Sequence, residues 1–216
     1  MENTQNIPVK NKRAISVRDI LNYNPKVMDF EGKWLDSFGR PEMSGSWIIY
    51  GSSGSGKTRF SLDLAKYLTN FGKVAYNSLE QGLSLSLKTA IEEAGMIDVS
   101  RRFILLDKED VEDLTQRLKK HKSPDIIFID SVQYSGLNKD TAMDLVDGFR
   151  KKLFIFVSHS EGSKPAGRTA KSIKFHSDIK LFIDGFVIKE NINRFIKGPP
   201  KPFVTWEDGV MNDLNQ

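Results

Sequence analysis

Residues 47–60 read WIIYGSSGSGKTRF, and this stretch constrains the fold more than any other in the chain. Trp47, Ile48, Ile49 and Tyr50 predict a short buried strand, and Gly51 to Thr58 then fit G-x-x-x-x-G-K-[ST] without a mismatch. The spacing has a physical cause. A strand that turns sharply into a helix must wrap its backbone N–H groups around a phosphate, and Gly51, Gly54 and Gly56 supply the conformational freedom this needs. The helix that follows adds partial positive charge at its N-terminus. Lys57 can then reach β- and γ-phosphates, and the Thr58 hydroxyl can ligate Mg²⁺. The expected nucleotide-binding residues are Gly51, Ser52, Ser53, Gly54, Ser55, Gly56, Lys57, Thr58 and Arg59.

The remaining segments alternate between helix and strand patterns. Phe60, Leu64 and Leu68 recur at i, i+4, i+8, which predicts one apolar helical face ending near Asn70–Gly72. Strands are expected at 73–79, 101–107, 125–130 and 152–158, with helices at 83–95, 109–121 and 140–151 between them. The continuous apolar run Ile126–Ile129 suits a strand buried on both faces of a parallel sheet. Beyond 179, three short strands are expected (IKLFID, FVIKENI and PFVTW), with Asp184–Gly185 as a hairpin turn. The predicted fold is therefore α/β, a three-layer sandwich with a mostly parallel central sheet and a C-terminal β section. Residues 1–23 are expected to be a flexible arm ending in a helical turn, and 24–46 a loop-rich lead-in within a single domain over 24–210.

Cysteine is absent, which excludes disulfides, thiol catalysis and Cys-ligated zinc. The apolar runs are too short to cross a bilayer, and the N-terminus is polar and then basic, so a chain without membrane contact, in the cytoplasm, is expected. Charge is distributed unevenly. Between Gly148 and Pro202, twelve Lys/Arg stand against four acids, giving +8, and the formal total of +4 leaves −4 for the rest. That asymmetry suggests a polyanion as partner.

Two acids complete the expected site. Asp130 ends the buried strand DIIFID, where a carboxylate can hold the water shell of Mg²⁺. Ser131, next in the chain, cannot serve as the base that orients an attacking water. An acid at the tip of an adjacent strand is the next candidate, and NSLEQG offers Glu80, with Glu161 or Asp107 in reserve.

The phosphate loop, SLE at 78–80, IIFIDS at 126–131 and VSHSEG at 157–162 together resemble the RecA-like ATPase core, nearest to DnaB-like helicase domains and RadA/KaiC-like ATPases. The resemblance spans about residues 30–206 and implies ATP with Mg²⁺, hydrolysis assisted by Glu80, and a ring or filament of identical subunits. It implies that His159 senses the γ-phosphate. It also implies that a loop over 160–177 faces a central channel, with Lys164, Arg168, Lys171 and Lys174 touching the backbone of single-stranded DNA. Arg194 matches an arginine that acts on a neighbour's site, although NINRFIKG lacks the family's preceding Lys and displaces its Gly. The leading expectation is a DNA-dependent ATPase of recombination, repair or replication. The alternatives are a nucleotide-switch adaptor with little turnover and a small-molecule kinase.

Overall fold

The computed structural model describes residues 14–207, 209 and 210. Two short helices, α1 (Val17–Leu21) and α2 (Gly32–Phe38), precede β1 (Gly45–Gly51) and α3 (Lys57–Leu68). The alternation continues through β2 (Val74–Ser78), α4 (Leu85–Glu93), β3 (Phe103–Asp107), α5 (Val111–Lys119), β4 (Ile126–Asp130), α6 (Lys139–Gly148) and β5 (Leu153–Glu161). It closes with β6 (Lys164–Pro165), α7 (Gly167–His176), β7 (Ile179–Asp184) and β8 (Val187–Asn193).

The strands form one sheet in the order β3-β2-β4-β5-β1-β7-β8, with the short β6 paired to the end of β5. Neighbours from β3 to β7 run parallel, and β8 closes the edge antiparallel to β7. Side chains alternate across this sheet and build a core on each face. Trp47 and Ile49 join Phe60, Leu64 and Leu68 of α3 on one face, while Ile48 and Tyr50 join residues of α5, α6 and α7 on the other. Ile126 to Ile129 are all buried, as a central parallel strand between two helical layers requires.

Three expectations need correction. The lead-in is not all loop: α2 docks Trp34 and Phe38 into an aromatic cluster, with Trp34 stacked on Tyr67 at 4.8 Å. PFVTW does not form a strand; Phe203 fills the same cluster and only Val204 pairs, as an isolated bridge to Val187. The expected loop at 160–177 is a tight hairpin, Glu161 opposite Lys164, followed by α7, whose Ala170 and Ile173 are anchored in the core. Burial of that face overrides the polar, basic look of the segment. Of the expected arm, residues 1–13 lie outside the described residues, and its helical turn is α1, which buries no side chain.

Candidate functional site

Parallel pairing sets the C-terminal ends of β2, β4, β5 and β1 side by side, the edge at which open α/β sheets bind ligands. Ser78 lies beside Asp130, Asp130 beside Val157, and Gly51 beside His159. Glu80, Asp130, His159 and the phosphate loop therefore meet, and they line a single cleft of ≈ 260 Å³ with Gln81 and Ser131.

Glycine is required in the loop for two different reasons. A Cβ on Gly51 would lie 2.2 Å from the Ile183 carbonyl oxygen, so the backbone of β7 excludes any side chain there. Gly56 caps α3 in the left-handed region, at φ 90°, and turns the chain so that the helix starts at Lys57. Lys57 Nζ donates to the Ser52 carbonyl at 2.6 Å, holding the cation across the mouth of the loop. Burial pulls the Lys57 pKa below the usual lysine value, and the Asp130 and Glu80 carboxylates oppose that shift.

Asp130 sits deep in the cleft. Burial raises its pKa, while a 2.5 Å hydrogen bond donated by the Tyr76 hydroxyl works in the other direction. Tyr76 is fully buried on β2, and burial together with Asp130 keeps its phenol protonated and able to donate. The oxygen donors here suit magnesium. The Thr58 hydroxyl and the Asp130 carboxylate are hard ligands on one cleft, and the buried Ser55 and Ser131 hydroxyls have no hydrogen-bond partner among the described residues.

Glu80 is fixed by the backbone around it. The Leu79 and Glu80 N–H groups donate to the Asp130 carbonyl at 2.6 and 3.2 Å, and Leu83 N donates to Asp107 Oδ1 at 3.1 Å. Its carboxylate meets His159 Nε2 at 3.0 Å. Both reserve acids have other work: Asp107 holds the loop after Glu80, and Glu161 pairs with Lys171 at 3.1 Å.

The fold recurs in a solved structure. The flagellar accessory protein FlaH from Methanocaldococcus jannaschii matches with a TM-score of 0.59 at 16% identity, over 83% of this chain and 93% of that one. The two share an α/β fold with a mostly parallel central sheet. No family model matches its sequence, and no curated protein does. At that identity the likeness carries the fold and nothing finer.

Other expected residues lie apart from the cleft. Arg194 follows β8, whose end pairs with the start of β7, whereas the phosphate loop adjoins the end of β7. The two are separated by the strand length, roughly 13 Å or more, and Arg194 instead pairs with Asp178 at 3.0 Å. Lys174 does not offer its charge to solvent: it donates to Tyr50 and Glu190 at 2.5 and 2.6 Å and lies over the Tyr50 ring. Burial acts to raise Glu190, yet hydrogen bonds from Lys174 and Tyr50 outweigh it and hold the carboxyl below its ordinary value. Lys171 is tied to Glu161. Lys164 and Arg168 are exposed on the hairpin and on the first turn of α7 and make no ion pair among the described residues.

Sequence reasoning missed two residues that organise the site. Tyr76 could have been suspected, because a tyrosine in a fully buried strand needs a partner for its hydroxyl. Gln133 left no such signal. It accepts from His159 N at 3.2 Å and donates to Ser158 Oγ at 2.9 Å and the Ala166 carbonyl at 3.1 Å, joining the tip of β4 to the hairpin and α7.

Proposed function

We infer that this chain is a Mg²⁺-dependent ATPase. The observation that carries the reading is the convergence of Lys57, Asp130 and Glu80 on one cleft from three separate strand ends. In this reading the loop N–H groups hold the phosphates, and Lys57 balances charge at the β/γ positions. Thr58 and Asp130 are the residues that would hold Mg²⁺, which supplies further charge neutralisation there. Glu80 orients an attacking water and takes its proton. His159, hydrogen-bonded to that carboxylate, keeps it aimed and, through Gln133, ties it to Ala166 at the start of α7.

The finer part of the proposal is that single-stranded DNA controls turnover. Lys164 and Arg168 are the cations that would meet its backbone, close to the Gln133–His159 connection. Arg194, remote from the cleft of its own subunit, would serve only a neighbour's, which requires a ring or filament of identical chains. A second reading is favoured by the engagement of Glu80 with His159 and by the fold likeness to an accessory protein: a nucleotide-switch adaptor with slow turnover.

ATP turnover measured with and without single-stranded DNA, at several protein concentrations, separates these readings. DNA-stimulated turnover that rises with protein concentration supports the first. Tight nucleotide binding with negligible turnover in both conditions supports the adaptor. Turnover equal to that of Lys57→Ala, without nucleotide binding, removes both.

A further inference from the structure

The sheet order decides where a nucleoside can lie. The ends of β5, β4 and β2, carrying His159, Asp130 and Glu80, are on one side of β1, and the β7–β8 turn is on the other. Provided the loop holds a triphosphate as proposed above, with its γ end toward Lys57 and the acids, the nucleoside leaves on the β7 side. Two aromatic side chains occupy that side. A Cβ built on Gly56 would be 2.7 Å from Phe186 Cδ1 and 3.5 Å from Thr205 Oγ1, so this turn abuts the left-handed cap of α3.

Phe186 is held there against its own backbone preference. It adopts φ 58°, a region that bulky side chains rarely enter and that this position of a two-residue hairpin normally reserves for Gly or Asn. Thr205 locks the conformation by donating its N–H and hydroxyl to the Phe186 carbonyl at 2.8 and 2.7 Å. The Phe186 ring meets Trp206 edge to face, with centroids 5.0 Å apart. Trp206 is 36% exposed, whereas Trp34 and Trp47 are buried. A strained residue, a paired hydroxyl that fixes it and an exposed indole thus stand together beside the phosphate loop.

We propose that Phe186 and Trp206 form the platform on which the base of a bound nucleotide stacks. The chemistry offered is a π face. The buried Thr205 hydroxyl gives its proton to the Phe186 carbonyl and so offers no donor to a base edge. The platform therefore accepts adenine and guanine alike, and selects a nucleotide over a bare polyphosphate.

The test titrates the full chain with Mg·ADP, Mg·GDP and magnesium tripolyphosphate by calorimetry, following tryptophan fluorescence in parallel. ADP and GDP should bind within a few-fold of each other and quench fluorescence, because Trp206 is the exposed indole. Trp206→Ala should weaken both by roughly tenfold or more, leave tripolyphosphate within about twofold, and lose the quench; Trp206→Phe should retain most of the affinity. The unchanged tripolyphosphate affinity also shows that the variant is folded. Equal losses for all three ligands, or no loss for ADP and GDP, overturn the platform while leaving the phosphate site standing. Wild-type protein that binds tripolyphosphate no worse than ADP also overturns it. Wild-type protein that binds none of the three overturns the nucleotide reading and the platform together.

Discussion

Replacing Tyr76 by phenylalanine removes one hydroxyl from the buried interior of β2 while keeping the ring that stacks on Phe128 at 5.4 Å. That hydroxyl donates to Asp130 Oδ2 at 2.5 Å, and a hydrogen bond to a charged group contributes about 1.5–3 kcal/mol. The loss should depend on pH, with a sign fixed by the direction of the Asp130 shift. Burial already raises the folded-state pKa of Asp130, and removing Tyr76 raises it further. A carboxyl raised in the folded state costs stability as pH climbs above the unfolded value of about 3.9. At about pH 7.5 the mutant should therefore lose the full ~1.5–3 kcal/mol relative to wild type. Toward pH 4 the raised carboxyl takes up its proton in both folded proteins, and the difference should shrink toward the ~0.5–1.5 kcal/mol of a neutral hydrogen bond. Urea unfolding of both proteins at the two pH values, without nucleotide, measures this. A difference that is the same at both pH values, or absent at neutral pH, refutes the assignment of Tyr76 as the support of an ionised Asp130.

Lys174→Met should lower unfolding stability by about 1–2 kcal/mol, the cost of breaking a half-buried pair discounted for its exposure, whereas Lys171→Met should cost under about 0.5 kcal/mol. Equal urea midpoints for the two variants would return Lys174 to the surface. Arg194→Ala should slow ATP hydrolysis by several orders of magnitude without weakening ATP binding, if the arginine serves a neighbouring subunit. Mixing it with Glu80→Gln should restore part of the lost turnover; no recovery in confirmed mixed assemblies would confine Arg194 to its pair with Asp178.

The strands were legible because parallel burial leaves uninterrupted apolar runs. Ile126–Ile129 and Leu153–Val157 can hardly be anything else, and each ends at a residue that lines or flanks the cleft. The phosphate loop was legible because its glycines answer local demands, such as the left-handed turn into α3 at Gly56. Helix α2 was not, since only Trp34 and Phe38 mark its face and no side-chain cap announces its start. Helix α7 hid behind its composition: Ala170 and Ile173 reach the core amid Lys, Arg and Ser, and no side chain caps it. The Tyr50–Lys174–Glu190 cluster joins β1, α7 and β8, and nothing in any one segment reveals that the other two are near. Long-range polar partners of this kind are set by sheet order, which local periodicity does not encode.

Single-turnover hydrolysis of Mg·ATP by Glu80→Gln, with binding measured on the same preparation, tests the central claim most directly. The substitution keeps the shape of the side chain beside His159 and removes its basicity. The account predicts ATP affinity close to wild type and hydrolysis slowed by roughly a hundredfold or more. Hydrolysis at near wild-type rate, with binding intact, would contradict the assignment of Glu80 as the group that activates water.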